Sequence, residues 1–183
     1  MIGQLWKSSG LGNLSLISDM TKTYVSCPNT LFLLAGYSQG AWIIDYVLHY
    51  FNTVKGHGDE PKKILANVRK VFLMGDPAWP ETPQNPKLEG IVNYVASHYA
   101  SAFNPVAPNS AYATEQSYTA NGVPAADFWS ICADGDPVCL SKGNLNDLKK
   151  NVGIHEHAYT AGNSSVAQDG GDWLATRIGG TDS

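Results

Sequence analysis

The chain has 183 residues, 43% of them apolar and only 15% charged, with a formal net charge of −4. That is enough apolar material for one domain with a real core, and too little charge for a disordered chain. No basic stripe is visible and no apolar run reaches the ~18 residues of a membrane span, so neither duplex nucleic acid nor a spanning helix is expected.

Residues 10–26 read as a helix, because Leu11, Leu14, Ile17, Met20 and Tyr24 recur at spacings of three and four and make one apolar stripe. Ser8, Ser9 and Asn13 are capping candidates, and Cys27-Pro28-Asn29 stops the helix. A strand over 30–35 follows. Its unbroken apolar run suits a parallel strand covered on both faces. After Gly36-Tyr37-Ser38-Gln39-Gly40 comes a helix with Ile43, Ile44, Val47, Leu48 and Phe51 on one side, ending before a surface loop at 56–61. Residues 62–68 form a short helix, and Val71–Gly75 a second strand stopped by Asp76-Pro77. The local basic cluster Lys62, Lys63, Arg69 and Lys70 reads as a solvated face.

From 76 to 127 the chain changes character, with seven of its ten prolines and scattered aromatics from Trp79 to Tyr118. Only 90–100 hints at structure. A connection of this length reads as a lid or binding loop, whose aromatics either line an apolar acyl cleft or pack the loop onto the core. Phe128–Cys132 is the third strand and 141–151 a polar helix. Ser165 with Gln168 makes a capping box for a last helix with Trp173, Leu174 and Ile178 on its buried side, although Gly170-Gly171 weakens it. Strands alternating with helices imply an α/β fold with a parallel sheet, in a single domain over 1–183 carrying the 76–127 insertion.

The chemistry starts at Ser38. Gly-x-Ser-x-Gly between a strand and a helix is a nucleophile elbow, which raises the serine hydroxyl above the sheet and aims the Gln39 N–H, at the helix start, towards a developing oxyanion. Gly36 and Gly40 are both expected to be needed, because side chains there would collide with the neighbouring strand and helix. The serine needs a base, and the base an orienting carboxylate, in the chain order Ser, acid, His. His49 lies about 16 Å along the elbow helix and faces away, and His57 and His98 precede any acid after the third strand. That leaves His155 and His157, in a loop before the last helix. Asp134 and Asp136 both qualify as the acid, in a turn bracketed by Cys132 and Cys139, which can close a small disulfide loop around them. Cys27 has no evident mate. A zinc site from Cys132, Cys139, His155 and His157 has the wrong spacings, so no metal is expected.

Together, Cys27-Pro28, Gly36-Tyr37-Ser38-Gln39-Gly40-Ala41, Phe72-Leu73-Met74-Gly75-Asp76-Pro77, the Cys-x-x-Gly-Asp-x-Val-Cys form of 132–139 and a histidine near Tyr159 resemble the cutinase family of α/β-hydrolases. That family includes cutinases, acetylxylan esterases and related actinobacterial and phage esterases. The resemblance covers most of the chain outside 78–127. It implies a three-layer α/β/α fold and a serine esterase working through a Ser-His-Asp triad and an acyl-enzyme. Ser38 is then the nucleophile, the Gln39 N–H an oxyanion donor and Asp136 the acid. The base is His157, preferred to His155 because its distance to the Trp173-Leu174 helix is nearer the family spacing. The family's His-x-x-Tyr is interrupted, since Glu156 stands three before Tyr159. No cofactor is implied. The partner is an ester substrate, whether a cutin-like polyester, a lipid, an acetylated polysaccharide or a mycobacterial cell-wall ester of the phage type, and the protein is expected to be a secreted monomer. The competing expectation is a non-catalytic fragment or pseudoenzyme that binds an ester or glycan. The family also has a strand ahead of the first helix, carrying a second oxyanion donor, and an upstream cysteine that pairs with the one before Pro28. Neither is found in 1–183, so the resemblance implies an N-terminally incomplete member. Loss of one oxyanion donor costs on the order of 10²–10³ in kcat, so weak or no turnover by 1–183 alone is expected.

Overall fold

In the computed structural model the described residues are 2–55, 57–77, 80–82, 85–88, 128–139, 145–160 and 166–176. Five helices and five strands are found among them. They run α1 (Ile2–Ser26), β1 (Phe32–Tyr37), α2 (Gln39–Thr53), α3 (Glu60–Ala66), β2 (Val68–Met74), β3 (Pro80–Thr82), β4 (Asn85–Leu88), β5 (Phe128–Ile131), α4 (Leu145–His157) and α5 (Val166–Ala175). β1, β2 and β5 form a parallel sheet in that spatial order, with Ala35 opposite Phe72 and Phe72 opposite Trp129. β3 and β4 make a separate antiparallel pair. That pair lies inside the stretch expected to be structureless up to residue 90. The region 90–100 and the aromatics expected to line a cleft lie outside the described residues.

The central strand explains the layering. Residues of β2 are buried on both faces, as a central parallel strand covered by helices requires, although the strand carries Arg69 and Lys70 among its apolar residues. On one face Val71 and Leu73 join Ile44, Val47, Leu48 and Phe51 of α2, Ile64 and Leu65 of α3, Leu34 of β1 and Met20 of α1. On the other face Phe72 supports α5. A Cβ on Gly170 would come within 2.0 Å of the Phe72 ring, so the glycine that weakens the helix is what lets it lie flat on the sheet. Trp129 stacks obliquely on Phe72 at 5.1 Å, and Trp173 of α5 meets Trp129 edge-on at 5.8 Å. Trp173 and Leu174 are half-buried, and Ile178 lies outside the described residues.

Several sequence expectations need correction. β1 is not covered on both faces. Leu34 packs into the core, whereas Leu33 is 42% exposed, because β1 is an edge of the described sheet and α5 sits over β2. α1 begins at Ile2 and not at residue 10, and Leu11 and Leu14 are exposed while Ile17, Met20 and Tyr24 pack on the core. Its contact with α2 passes through Gly12, where a Cβ would lie 2.5 Å from Ile43 Cδ1. Lys70 is not part of a solvated face. It is buried on β2 and donates to the carbonyl oxygens of Trp173 (2.6 Å) and Thr176 (3.0 Å) and to Thr176 Oγ1 (2.5 Å). An ammonium group there answers both the carbonyl oxygens at the end of α5 and the negative end of its dipole.

Asp45 is the costly residue of the core. It is fully buried on α2, and neither carboxylate oxygen has a hydrogen-bond partner among the described residues. Burial first, and the nearby Asp76 carboxylate second, push its carboxyl well above the usual value, so the folded state keeps the proton. The unfolded chain loses that proton near pH 4. Above that pH the folded state binds more protons than the unfolded one, and Asp45 subtracts stability as pH rises towards its folded pKa. Asp45→Asn should therefore raise the thermal midpoint at pH 7, by about 3 °C for each pH unit of that interval, and leave it almost unchanged at pH 4. Melting both proteins at the two pH values checks this, and an equal difference at both would contradict the assignment.

Candidate active site

The C-terminal ends of β1, β2 and β5 supply three loops that meet at one place. β1 runs directly into Ser38, which has φ 54° and ψ −120° and is the one non-glycine residue with positive φ among the described residues. Its N–H donates to Met74 O at 2.9 Å, which fixes the turn to the end of β2. Strain of this kind persists only where the surroundings enforce it. Gly36 is enforced in the same way, since a Cβ there would lie 2.7 Å from the backbone N of Ala41. Gly40 is not: a Cβ would meet nothing within 4 Å, so the expectation that both flanks forbid a side chain holds only at Gly36. Gln39 opens α2, where first-turn N–H groups lack intrahelical acceptors. Its side-chain Nε2 donates to Ser9 Oγ at 2.8 Å. With α1 beginning at Ile2, Ser8 and Ser9 lie inside the helix and not at its cap; Ser8 is exposed, and Ser9 is buried and reaches the elbow.

The histidines are not in a loop. Both stand in the last turn of α4. His155 is only 7% exposed, with Nε2 2.8 Å from Ser38 Oγ and Nδ1 2.8 Å from Asp136 Oδ2. His157 is exposed, because two residues further on a side chain points about 200° round the helix. The structure therefore brings together Ser38, His155 and Asp136, and leaves the preferred His157 outside. Asp134 is exposed in the turn, and Asp136, two residues later, is buried. His49 is half-buried on α2, His57 is exposed, and His98 lies outside the described residues.

Asp136 is an acceptor on every side. Val138 N–H donates to Oδ1 at 2.8 Å, and the Tyr159 hydroxyl donates to Oδ2 at 2.5 Å. Burial by itself would push its carboxyl up. The hydrogen bonds from His155, Tyr159 and the Val138 N–H outweigh it and hold the carboxyl below the usual value, so Asp136 is ionised at neutral pH. An ionised carboxylate can only accept, so Nδ1 of His155 carries the proton and Nε2 is left with its lone pair facing the Ser38 hydroxyl.

Two features hold the imidazole in place that the sequence analysis did not single out. Tyr37 lies parallel to the His155 ring at a centroid distance of 5.0 Å, and its hydroxyl donates to the His155 carbonyl oxygen. Gly75, at φ 57° just after β2, makes room for the ring: a Cβ there would lie 2.9 Å from His155 Cε1. The sequence signal for Gly75 is weak, a glycine at a strand end before Asp-Pro, which any turn also uses.

Cys132 and Cys139 are joined in a disulfide that closes the loop holding Asp136. Their sulfurs are therefore not available as the thiolate ligands that the zinc alternative needs. Cys27 is a free, exposed cysteine.

A parallel sheet with helices on both faces, a strained serine between strand and helix, and a histidine and a carboxylate delivered from later in the chain define an α/β-hydrolase. The family model described as Cutinase matches residues 3–169, and the chain belongs to the cutinase family, a family of esterases within the hydrolases. No match is found among curated proteins. Removing the loop brace tests how much of this arrangement it holds. A Cys132→Ser, Cys139→Ser protein should lose about 2–3 kcal/mol of stability by the loop-entropy relation, read from the urea midpoint. An unchanged midpoint would show that the loop is held by Tyr159 and Val138 alone.

Proposed function

We propose that the protein is a serine esterase acting on carboxylic esters, with Ser38 as nucleophile, His155 as general base and Asp136 as the carboxylate that orients it. The observation that carries this reading is the unbroken chain of two 2.8 Å contacts from Ser38 Oγ through His155 to Asp136 Oδ2. His155 Nε2 takes the hydroxyl proton as Oγ forms a bond to the ester carbonyl carbon. The carbonyl oxygen becomes an oxyanion that accepts from the Gln39 N–H, a reading supported by the position of Gln39 in the first turn of α2, where N–H groups lack intrahelical acceptors. The protonated His155 then gives its proton to the departing alkoxide, and an acyl-enzyme on Ser38 remains. Water repeats the sequence: it loses a proton to Nε2, attacks the acyl carbon, and Ser38 leaves with that proton as the carboxylic acid is released.

Membership of the cutinase family supports an ester substrate, and the reading extends it to polyesters such as cutin, short-chain esters and acetylated polysaccharides. A structural disulfide fits an oxidising compartment, which supports secretion, and a single domain over 1–183 fits the one shared core.

Labelling with a fluorophosphonate probe and hydrolysis of p-nitrophenyl butyrate test the assignment together. Ser38→Ala should abolish labelling, and His155→Gln should lower the rate by about 10⁴ or more. His157→Gln should stay within about twofold of the parent, since it removes only an exposed side chain. A His157→Gln protein as inactive as His155→Gln would overturn the assignment of the base.

A further inference from the structure

We propose that Tyr159 is a positioning residue of this site, whose hydroxyl fixes Asp136 and limits the negative charge that Asp136 presents to His155; the role rests on the esterase reading above. Tyr159 is 1% exposed and lies one helical turn beyond His155. Its hydroxyl donates to Asp136 Oδ2 at 2.5 Å, the same oxygen that accepts from His155 Nδ1. The Ala133 N–H donates to the phenolic oxygen at 3.0 Å, so the phenol proton is left to bond the carboxylate. The oxygen is also 3.5 Å from Cys139 Sγ. One phenol thus ties together the start of the acid loop, the disulfide at its end, the carboxylate and the helix that carries the histidine.

A buried tyrosine needs a partner, and any carbonyl would satisfy it. This one makes a charge-assisted bond to the oxygen that orients the imidazole. Two donors on one oxygen share its charge, and each bond is weaker than it would be alone. Among the described residues the ionisable groups around Asp136 are His155, Tyr159 and Tyr37. Those around Tyr159 are Asp136 and Tyr37, and Tyr37 in turn feels Glu156. Removing the phenol hydroxyl therefore concentrates charge on the His155 contact and favours the imidazolium. Making the phenol a stronger donor does the opposite.

The test is the ionisation of His155 in the full chain, followed by its Cε1–H resonance, identified among the five histidines by its loss in His155→Gln. Tyr159→Phe should raise the His155 pKa by about half a unit to one unit. Incorporation of 3-fluorotyrosine at 159, which keeps the ring and the hydroxyl, should lower it. Tyr159→Phe should also cut kcat about tenfold with KM within about twofold, as expected for a group that acts on alignment and not on substrate binding. A His155 pKa that stays put in both variants, or moves the same way in both, overturns the role. Fluorophosphonate labelling of the parent protein separates the two ideas. Labelled Ser38 with an immobile pKa defeats only the role of Tyr159, whereas an unlabelled parent defeats the esterase reading and this role with it.

Discussion

The bond between His155 Nδ1 and Asp136 Oδ2 is the interaction on which the rest of the site depends. It joins a helix that follows β5 to a loop that also follows β5, above the end of β1 where Ser38 stands. A buried carboxylate is expensive unless it is fully hydrogen-bonded, and Asp136 has three donors on its two oxygens. Those bonds keep the acid ionised, and an ionised acid fixes the tautomer that leaves Nε2 free to face the serine. Were Asp136 neutral, the histidine would lose the partner that sets its proton on Nδ1. The parallel sheet makes the meeting possible. Ser38, Gly75 and Asp136 each follow the C-terminal end of a strand, and three neighbouring parallel strands put those ends side by side.

Asp136 and Asp45 make an instructive pair, since both are fully buried carboxylates. Asp136 is surrounded by donors and has its carboxyl held down. Asp45 has no partner among the described residues, lies near another acid and has its carboxyl pushed up. The same side chain is thus an anion in the site and a neutral acid in the core, and the donors, not the burial, decide which. Lys70 gives a third outcome. Its charge is buried but satisfied by helix-end carbonyls, and a residue that reads as surface becomes the link between β2 and the end of α5.

What the sequence could disclose divides along physical lines. The elbow serine was legible because its chemistry is local: a strand, a tight turn and a helix start, all within a few residues. The acid loop was legible for the same reason, with two cysteines marking its ends; residue type alone left Asp134 and Asp136 equal, the family pattern pointed to Asp136, and the fold buries Asp136 and exposes Asp134. The parallel sheet followed from alternating strands and helices, whereas the strand order, with β2 between β1 and β5, did not. The close approaches were not legible. Gly75 beneath the imidazole, Gly170 on Phe72 and the open space at Gly40 depend on which element lies over which, and a glycine in a sequence does not say what it lies against. The cover on β1 failed likewise, since an apolar run records that a strand can be buried, not that a helix reaches it.

The choice between His155 and His157 turns on helix phase. Counting residues to the Trp173 helix treats the chain as a ruler, and on that ruler the two differ by two positions. On a helix they differ by more than half a turn, so one faces the sheet and the other faces water. The residue that breaks the tie is Tyr159. It is the fourth residue after His155, and the Ala158 N–H still donates to Ile154 O at 2.9 Å, so the helical path continues between them. Side chains four apart lie on one face, one above the other. With the tyrosine bonded to Asp136, a histidine one turn earlier is carried to the same carboxylate oxygen, while Glu156 and His157 between them are turned outwards. A His-x-x-x-Tyr spacing on a helix is therefore a geometric solution in its own right: the helix end presents both donors to one acid, and the intervening residues are free to be polar.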